Sequence, residues 1–271
     1  MAAMTAGETI PKIAAPHWAG RFFSTITKCQ PFFNRNFDKN ACFLSPHCLL
    51  YSYKKCWVVF VQIVCMGTAR KNGGNRMTLA EEKQVQRKAG IAARRALAPE
   101  TRAAANATLC ARLAALPCFR QARTILLYAA FGGEADLATL AETARGLGKT
   151  LAYPVCGGNF SLTAAVPGED GWEAGAYGIR TPILSRAETL PPEALDLILV
   201  PCTAFDAACG RVGMGKGYYD RYLLRCTRAV KLGIAFEAQR VPHAALDEHD
   251  QRLDAFITEG GIYRGTDKIE L

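Results

Sequence analysis

The chain has 271 residues, of which 50% are hydrophobic, 21% charged and 9% aromatic, a balance that excludes a collagen, a disordered tail and a bare peptide scaffold. The longest apolar run, residues 56–66, is interrupted by Gln62 and falls well short of the roughly 20 residues a membrane-spanning helix needs, so a multi-pass membrane protein is excluded. The net charge is +9, but residues 1–76 hold ten Lys/Arg against two Asp/Glu while residues 77–271 hold 23 against 22, so the basic excess says little about most of the protein.

Residues 1–76 show no sustained period of 2 or 3.6 and end in the polar, glycine-rich stretch 69–76. They read as a basic, disordered extension. A targeting segment is the alternative, because acids are scarce there. Residues 77–271 read as one domain. The eleven cysteines divide five and six across this boundary, with no CxxC pair and no zinc-type Cys/His spacing. Such usage fits a reducing, cytoplasmic setting.

From residue 79 the chain becomes alanine-rich and periodic. Residues 79–97 predict a helix of strong helix formers. Ala98-Pro99-Glu100 interrupts it, and residues 101–116 predict a second helix stopped by Pro117. The uninterrupted apolar run 124–130 predicts a buried strand. A helix follows at 137–147, closed by Gly148. Strands are predicted at 150–155, 160–166 and 195–200, a helix at 218–226, a strand at 230–236 and a short last strand at 253–258. Strands alternating with helices imply a single three-layer α/β domain with a mostly parallel central sheet flanked by helices.

The stretch LDLILVPCTAFDAACGRVGMGKGYYDR, residues 195–221, carries the most chemistry. A buried strand runs into a loop in which Gly213, Gly215 and Gly217 alternate before a helix. Alternate glycines let backbone approach a phosphate, and the helix start offers free N–H groups. Arg211 and Lys216 bracket the glycines. Asp220, in the first helical turn, has the place and charge to hold magnesium. The loop is neither a Walker A motif nor a dinucleotide fingerprint. A plain turn, a dipole-complementing Asp and a solvated Lys remain the simpler readings of its parts.

Three other groups stand out. At about 100° per residue, Lys83, Arg87 and Arg94 share one stripe of the first helix, opposite Val85, Ala89, Ala92 and Ala96. The stripe is either an anion clasp or a solvated basic face. Tyr128-Ala-Ala-Phe-Gly-Gly-Glu134 leaves the first strand, and Glu134 can accept hydrogen bonds from a heterocycle or simply begin a helix. Tyr177 lies on a glycine-flanked loop, where it can stack on a flat ring or pack in the core. His243 and His249 lie near Asp247 and Asp250, with no nucleophile elbow in sight.

These residues carry a resemblance. From about residue 79 to 264 the sequence resembles the 5-formyltetrahydrofolate cyclo-ligase family, also called methenyltetrahydrofolate synthetase. The strongest match is Phe205-Asp206 followed by GRVGMGKGYYDR at 210–221, with weaker support from Lys83, Arg87, Glu134, Tyr177-Gly-Ile and Asp250. The resemblance implies an ATP-dependent, Mg2+-requiring ligase that converts 5-formyltetrahydrofolate to 5,10-methenyltetrahydrofolate. It implies that Lys83, Arg87, Arg211, Gly213, Met214, Gly215, Lys216, Gly217, Tyr218 and Tyr219 bind the nucleotide, with the catalytic Lys216 nearest the transferred phosphoryl. Ala129, Glu134 and Tyr177 would orient the pterin, and Asp220 and Asp250 would hold magnesium. The implied partners are a folate and ATP, with no nucleic acid and no membrane, and the implied state is a monomer. Residues 1–76 have no counterpart in the family, and Cys202 is not a catalytic candidate.

Two readings from other classes compete. One is a non-catalytic nucleotide-binding module on the same fold. The other is a nucleic-acid binder, in which Phe22, Phe32 and Trp57 interleave with basic residues. The cyclo-ligase reading requires that the loop at 211–220 meet the basic flank of the first helix.

Overall fold

The computed structural model describes residues 77–265. The expected extension at 1–76, its aromatic–basic pattern and residues 266–271 lie outside the described residues. Among the described residues no helix is long and apolar enough to cross a membrane.

Helix α1 spans Leu79–Arg95, α2 Pro99–Ala115 and α3 Pro117–Gln121, ahead of strand β1 at Thr124–Leu126. Helix α4 (Ala138–Gly146) leads to β2 (Thr150–Cys156), β3 (Leu162–Pro167), the hairpin β4 (Trp172–Ala174) and β5 (Arg180–Pro182), and β6 (Ala187–Leu190). Then come β7 (Leu197–Pro201), the hairpin β8 (Ala204–Phe205) and β9 (Arg211–Val212), α5 (Tyr218–Leu223), β10 (Val230–Ile234), β11 (Ala255–Ile257) and β12 (Ile262–Arg264).

Eight strands form one sheet in the order β12-β11-β10-β7-β1-β2-β3-β6. The inner five, β11 to β2, are parallel, while β12, β3 and β6 join antiparallel at the margins. Burial on both faces explains why Leu197, Ile198, Leu199 and Val200 form an unbroken apolar run with no exposed surface. One face packs on α2, α3 and α4 through Leu109, Leu113, Phe119 and Leu140. The other packs on α5 through Tyr222 and Leu223. The expected three-layer α/β fold is the one observed.

The chain runs from β1 outward through β2, β3 and β6, then returns to place β7 on the other side of β1. The direction of winding therefore reverses between β1 and β7, and in open α/β sheets the crevice at such a reversal is where ligands bind.

Several boundaries differ from expectation. Helix α2 begins at Pro99, because proline fits the first helical position, where its missing N–H has no partner to lose. Pro117 likewise starts α3 as well as ending α2. In the run 124–130 only Thr124–Leu126 belongs to a ladder, although Leu127 N–H still bonds Ala152 O at 2.9 Å. The next residues peel away toward the crevice. The final strand 253–258 is followed by β12, and the hairpins β4–β5 and β8–β9 are too short for alternation to reveal them.

Candidate active site

Helix α1 starts with a capping box. Glu81 N–H donates to Thr78 Oγ1 at 3.3 Å and Thr78 N–H donates to Glu81 Oε2 at 2.8 Å. Its orientation follows from what it buries. Gly90 and Arg94 are its buried residues, Lys83 and Arg87 are partly buried, and Val85 on the opposite side is 42% exposed. The basic stripe thus faces the domain, and the solvated-face reading is overturned. A Cβ on Gly90 would sit 1.9 Å from Thr203 O, so only glycine lets α1 approach the segment after β7 this closely.

The stripe meets the glycine loop. Arg87 Nε donates to Gly213 O at 2.8 Å, and Arg87 Nη1 donates to Gln84 Oε1 at 2.7 Å. Gly215 has φ +90°, and a Cβ there would press on the Arg87 guanidinium at 2.9 Å, so this turn needs glycine for both conformation and space. Met214 and Lys216 are exposed at the loop tip. The Lys216 side chain makes no hydrogen bond or ion pair among the described residues, while its carbonyl accepts from Arg221 at 3.0 Å. Gly217, at φ +67°, leads into α5. Tyr218 donates weakly to Gly157 O at 3.5 Å, and its ring lies 6.1 Å from that of Phe160.

Two ion-pair groups tie the loops beneath. Buried Arg211 donates to Asp220 Oδ1 at 2.9 Å and to Gln251 O at 2.5 Å, and Gln251 N–H also donates to Asp220 Oδ1 at 3.0 Å. Lys83 Nζ pairs with Asp247 Oδ2 at 2.6 Å and with Asp250 Oδ2. Burial works against the Lys83 ammonium, but its two carboxylate partners outweigh that and raise its pKa; the Lys83 hydrogen bond holds Asp247 below the usual carboxylate range. Asp206 organises the β8–β9 turn, accepting from Gly210 N–H at 2.8 Å and, from the neighbouring loop, Ala244 N–H at 2.9 Å.

Arg94 occupies the β1/β7 crevice and is 2% exposed. Its Nε donates to Gly132 O at 3.1 Å and its Nη1 to Cys202 O at 3.2 Å, so it spans the loops leaving the two strands. Nη1 also lies 3.5 Å from Glu134 Oε1, whose other oxygen accepts from Phe131 N–H at 3.1 Å. Burial raises the Glu134 pKa, opposed by Arg94 and by the Phe131 N–H. Ala129 lies half-buried just after Tyr128, whose hydroxyl donates to Ala135 O at 2.8 Å. Burial pushes the Cys202 thiol up to about 12, so it stays protonated and is no nucleophile. Sequence reasoning saw Arg94 on the stripe but did not place it in the site. Gln239 also went unnoticed: its amide donates to Cys202 O at 2.9 Å and Thr203 O at 3.0 Å, and an isolated Gln carries no pattern.

Tyr177 lies in the turn Ala176–Gly178 between β4 and β5, and its side chain lies outside the described residues. The hairpin is anchored by Trp172, which packs edge-on against Tyr153 at 4.8 Å and carries the Arg180 guanidinium at 4.3 Å from its ring.

For magnesium, the described residues hold no cluster of three or more His, Cys, Asp or Glu. Asp220 and Asp250 fit the smaller requirement of this ion, which takes one or two carboxylates and fills its shell with water and phosphate oxygens. Each keeps one oxygen clear of protein hydrogen bonds among the described residues, Oδ2 of Asp220 and Oδ1 of Asp250.

The fold and site together define a three-layer α/β protein whose strand-end crevice is walled by a basic helix face and a glycine-rich loop. Residues 79–259 match the model of the 5-formyltetrahydrofolate cyclo-ligase family. The chain is 30% identical over 176 residues to the 5-formyltetrahydrofolate cyclo-ligase of Escherichia coli (strain K12), a match covering 63% of this chain and 96% of that protein. It is 40% identical over 79 residues to the mouse (Mus musculus) 5-formyltetrahydrofolate cyclo-ligase, covering 27% of this chain and 39% of the mouse protein. The NMR structure of Aquifex aeolicus 5,10-methenyltetrahydrofolate synthetase superposes with a TM-score of 0.61 at 32% identity, over 70% of this chain and 95% of that one. The chain belongs to the 5-formyltetrahydrofolate cyclo-ligase family.

Proposed function

We propose that the protein catalyses ATP-dependent conversion of 5-formyltetrahydrofolate to 5,10-methenyltetrahydrofolate, with release of ADP and phosphate. The observation that carries this reading is the Arg87–Gly213 hydrogen bond, which joins the basic face of α1 to the glycine loop of a chain in this family. Phosphoryl transfer asks for positioning and charge neutralisation more than covalent help, and this junction is built for both.

The formyl oxygen attacks the γ-phosphorus, and the bond to the ADP oxygen breaks. Nitrogen 10 then attacks the activated formyl carbon and loses its proton. The carbon–oxygen bond breaks, and phosphate leaves with the original formyl oxygen. Lys83, Arg87 and Arg211 supply positive charge around the triphosphate, and the backbone from Gly213 through Met214, Gly215 and Gly217 to Tyr218 and Tyr219 offers N–H groups to it. Lys216, unengaged at the loop tip, reaches the transferred phosphoryl. Glu134, set by Arg94, accepts from pterin N–H groups beside Ala129, and Tyr177 packs on the ring. Asp220 and Asp250 would hold Mg2+, which supplies charge neutralisation at the phosphates.

The test is a spectrophotometric cyclisation assay with 5-formyltetrahydrofolate, ATP and Mg2+, each omitted in turn. Methenyl product formed only in the complete mixture supports the reading. Nucleotide binding with no product in the complete mixture would favour a non-catalytic nucleotide-binding module.

A further inference from the structure

Tyr219 is the second residue of α5, directly after the glycine loop. Its ring packs against the apolar sheet face that includes Leu126, Ala152 and Ile198. Its hydroxyl oxygen is sealed from solvent and has no hydrogen-bond partner among the described residues. A buried hydroxyl without a partner costs folding free energy, so its presence calls for a reason. The titratable groups whose charges act on it include Glu134 at the end of the β1 loop, Cys156 at the end of β2, Arg211 on β9, Tyr222 along its own helix and Tyr128 just after β1. Burial holds the phenol well above its ordinary range, so it is a hydrogen-bond donor at neutral pH. Tyr222 offers a control in the same helix: its hydroxyl is also buried and unpartnered, but the charges that act on it are those of Cys226, Arg225 and Glu193, not those of Glu134 and Arg211.

We propose that the Tyr219 hydroxyl is a substrate-recognition group that donates a hydrogen bond to a carbonyl-type oxygen of the bound folate, between Glu134 and the glycine loop. The inference rests on the function proposed above and adds a side-chain contact to the folate from a residue whose backbone serves the nucleotide.

The experiment compares wild type, Tyr219→Phe and Tyr222→Phe by steady-state kinetics and by thermal melting without ligand. Removing either hydroxyl leaves the melting temperature at or above that of the wild type. Tyr219→Phe lowers kcat/KM for 5-formyltetrahydrofolate at least about tenfold and leaves the KM for ATP within about twofold, while Tyr222→Phe keeps wild-type kinetics. Wild-type kinetics in Tyr219→Phe, a defect confined to ATP, or an equal defect in Tyr222→Phe overturns the proposal. Wild-type turnover tests the function separately. Should turnover be absent, melting with 5-formyltetrahydrofolate alone decides: stabilisation of the wild type that Tyr219→Phe loses supports the assignment, and an equal shift, or none in either, overturns it.

Discussion

Helices α1 and α2 are neighbours in the chain, seventeen residues each and rich in alanine, yet they are held in opposite ways. Helix α2 buries Ala105, Leu109, Cys110 and Leu113, an apolar stripe at helical spacing. Fully burying a leucine contributes on the order of 2 kcal/mol, and neither Leu109 nor Leu113 keeps exposed surface. Helix α1 turns its basic side inward and docks through directional bonds from Lys83, Arg87 and Arg94 to the Cys202 carbonyl after β7 and to the loops at 131–134, 213–217 and 247–250. Apolar docking asks only for area. Polar docking asks each loop to be in place, so whatever orders the loops also seats α1. Of these two helices, the one fixed less by hydrophobic burial is the one that walls the proposed active site.

Four substitutions bear on this contrast. Arg94→Ala has the largest expected effect: it strips the Gly132 and Cys202 carbonyls of a donor and leaves Glu134 without its cation. Unfolding in urea is expected to lose about 3–5 kcal/mol, as for other broken buried pairs. A loss below about 1 kcal/mol would mean that α1 is not seated by this residue. Leu109→Ala is expected to cost about 3 kcal/mol by the same measurement, through a cavity under α2. Its kcat/KM per folded molecule stays at the wild-type value, because Leu109 is a core residue with no exposed surface.

Lys216→Ala separates chemistry from stability. Its exposed side chain holds nothing in the fold, so the urea midpoint is expected to stay put within about 0.5 kcal/mol. Cyclisation falls at least about 100-fold, the usual scale for losing one group that stabilises transition-state charge. Unchanged turnover would remove Lys216 from the mechanism. The smallest effect is the pH slope governed by Glu134. Its folded pKa lies above its unfolded value, so the folded form binds more protons in that interval and wild-type stability falls as pH rises through it. Glu134→Gln is expected to lack that slope in urea midpoints measured across the interval, whatever its overall stability.

Much of the fold was legible because its signals are local. The run at 195–200 reads as a buried strand from composition, and the residues after Gly148 begin β2 as expected. The short strands β4, β5, β8 and β9 were not legible, since two or three residues carry no periodicity and pair only because the loops bring them together. In the site, Arg87 and the glycine loop announced themselves by spacing and residue type. Arg94 did not: a basic residue on a stripe looks the same whether it meets water or two strand-end carbonyls. Asp247 was equally silent, and became a partner of Lys83 only when a loop 164 residues away folded back.

The sequence by itself determined the alternating architecture, the glycine-rich turn at 211–220 and the membership its motif implies, because backbone conformation and burial on both sheet faces constrain residue type directly. Only the tertiary structure decided which side of α1 faces inward and which charges pair. Apolar periodicity expresses an average preference for leaving water, whereas a buried guanidinium is tolerated only where particular carbonyls and a carboxylate converge, and that convergence exists only in three dimensions.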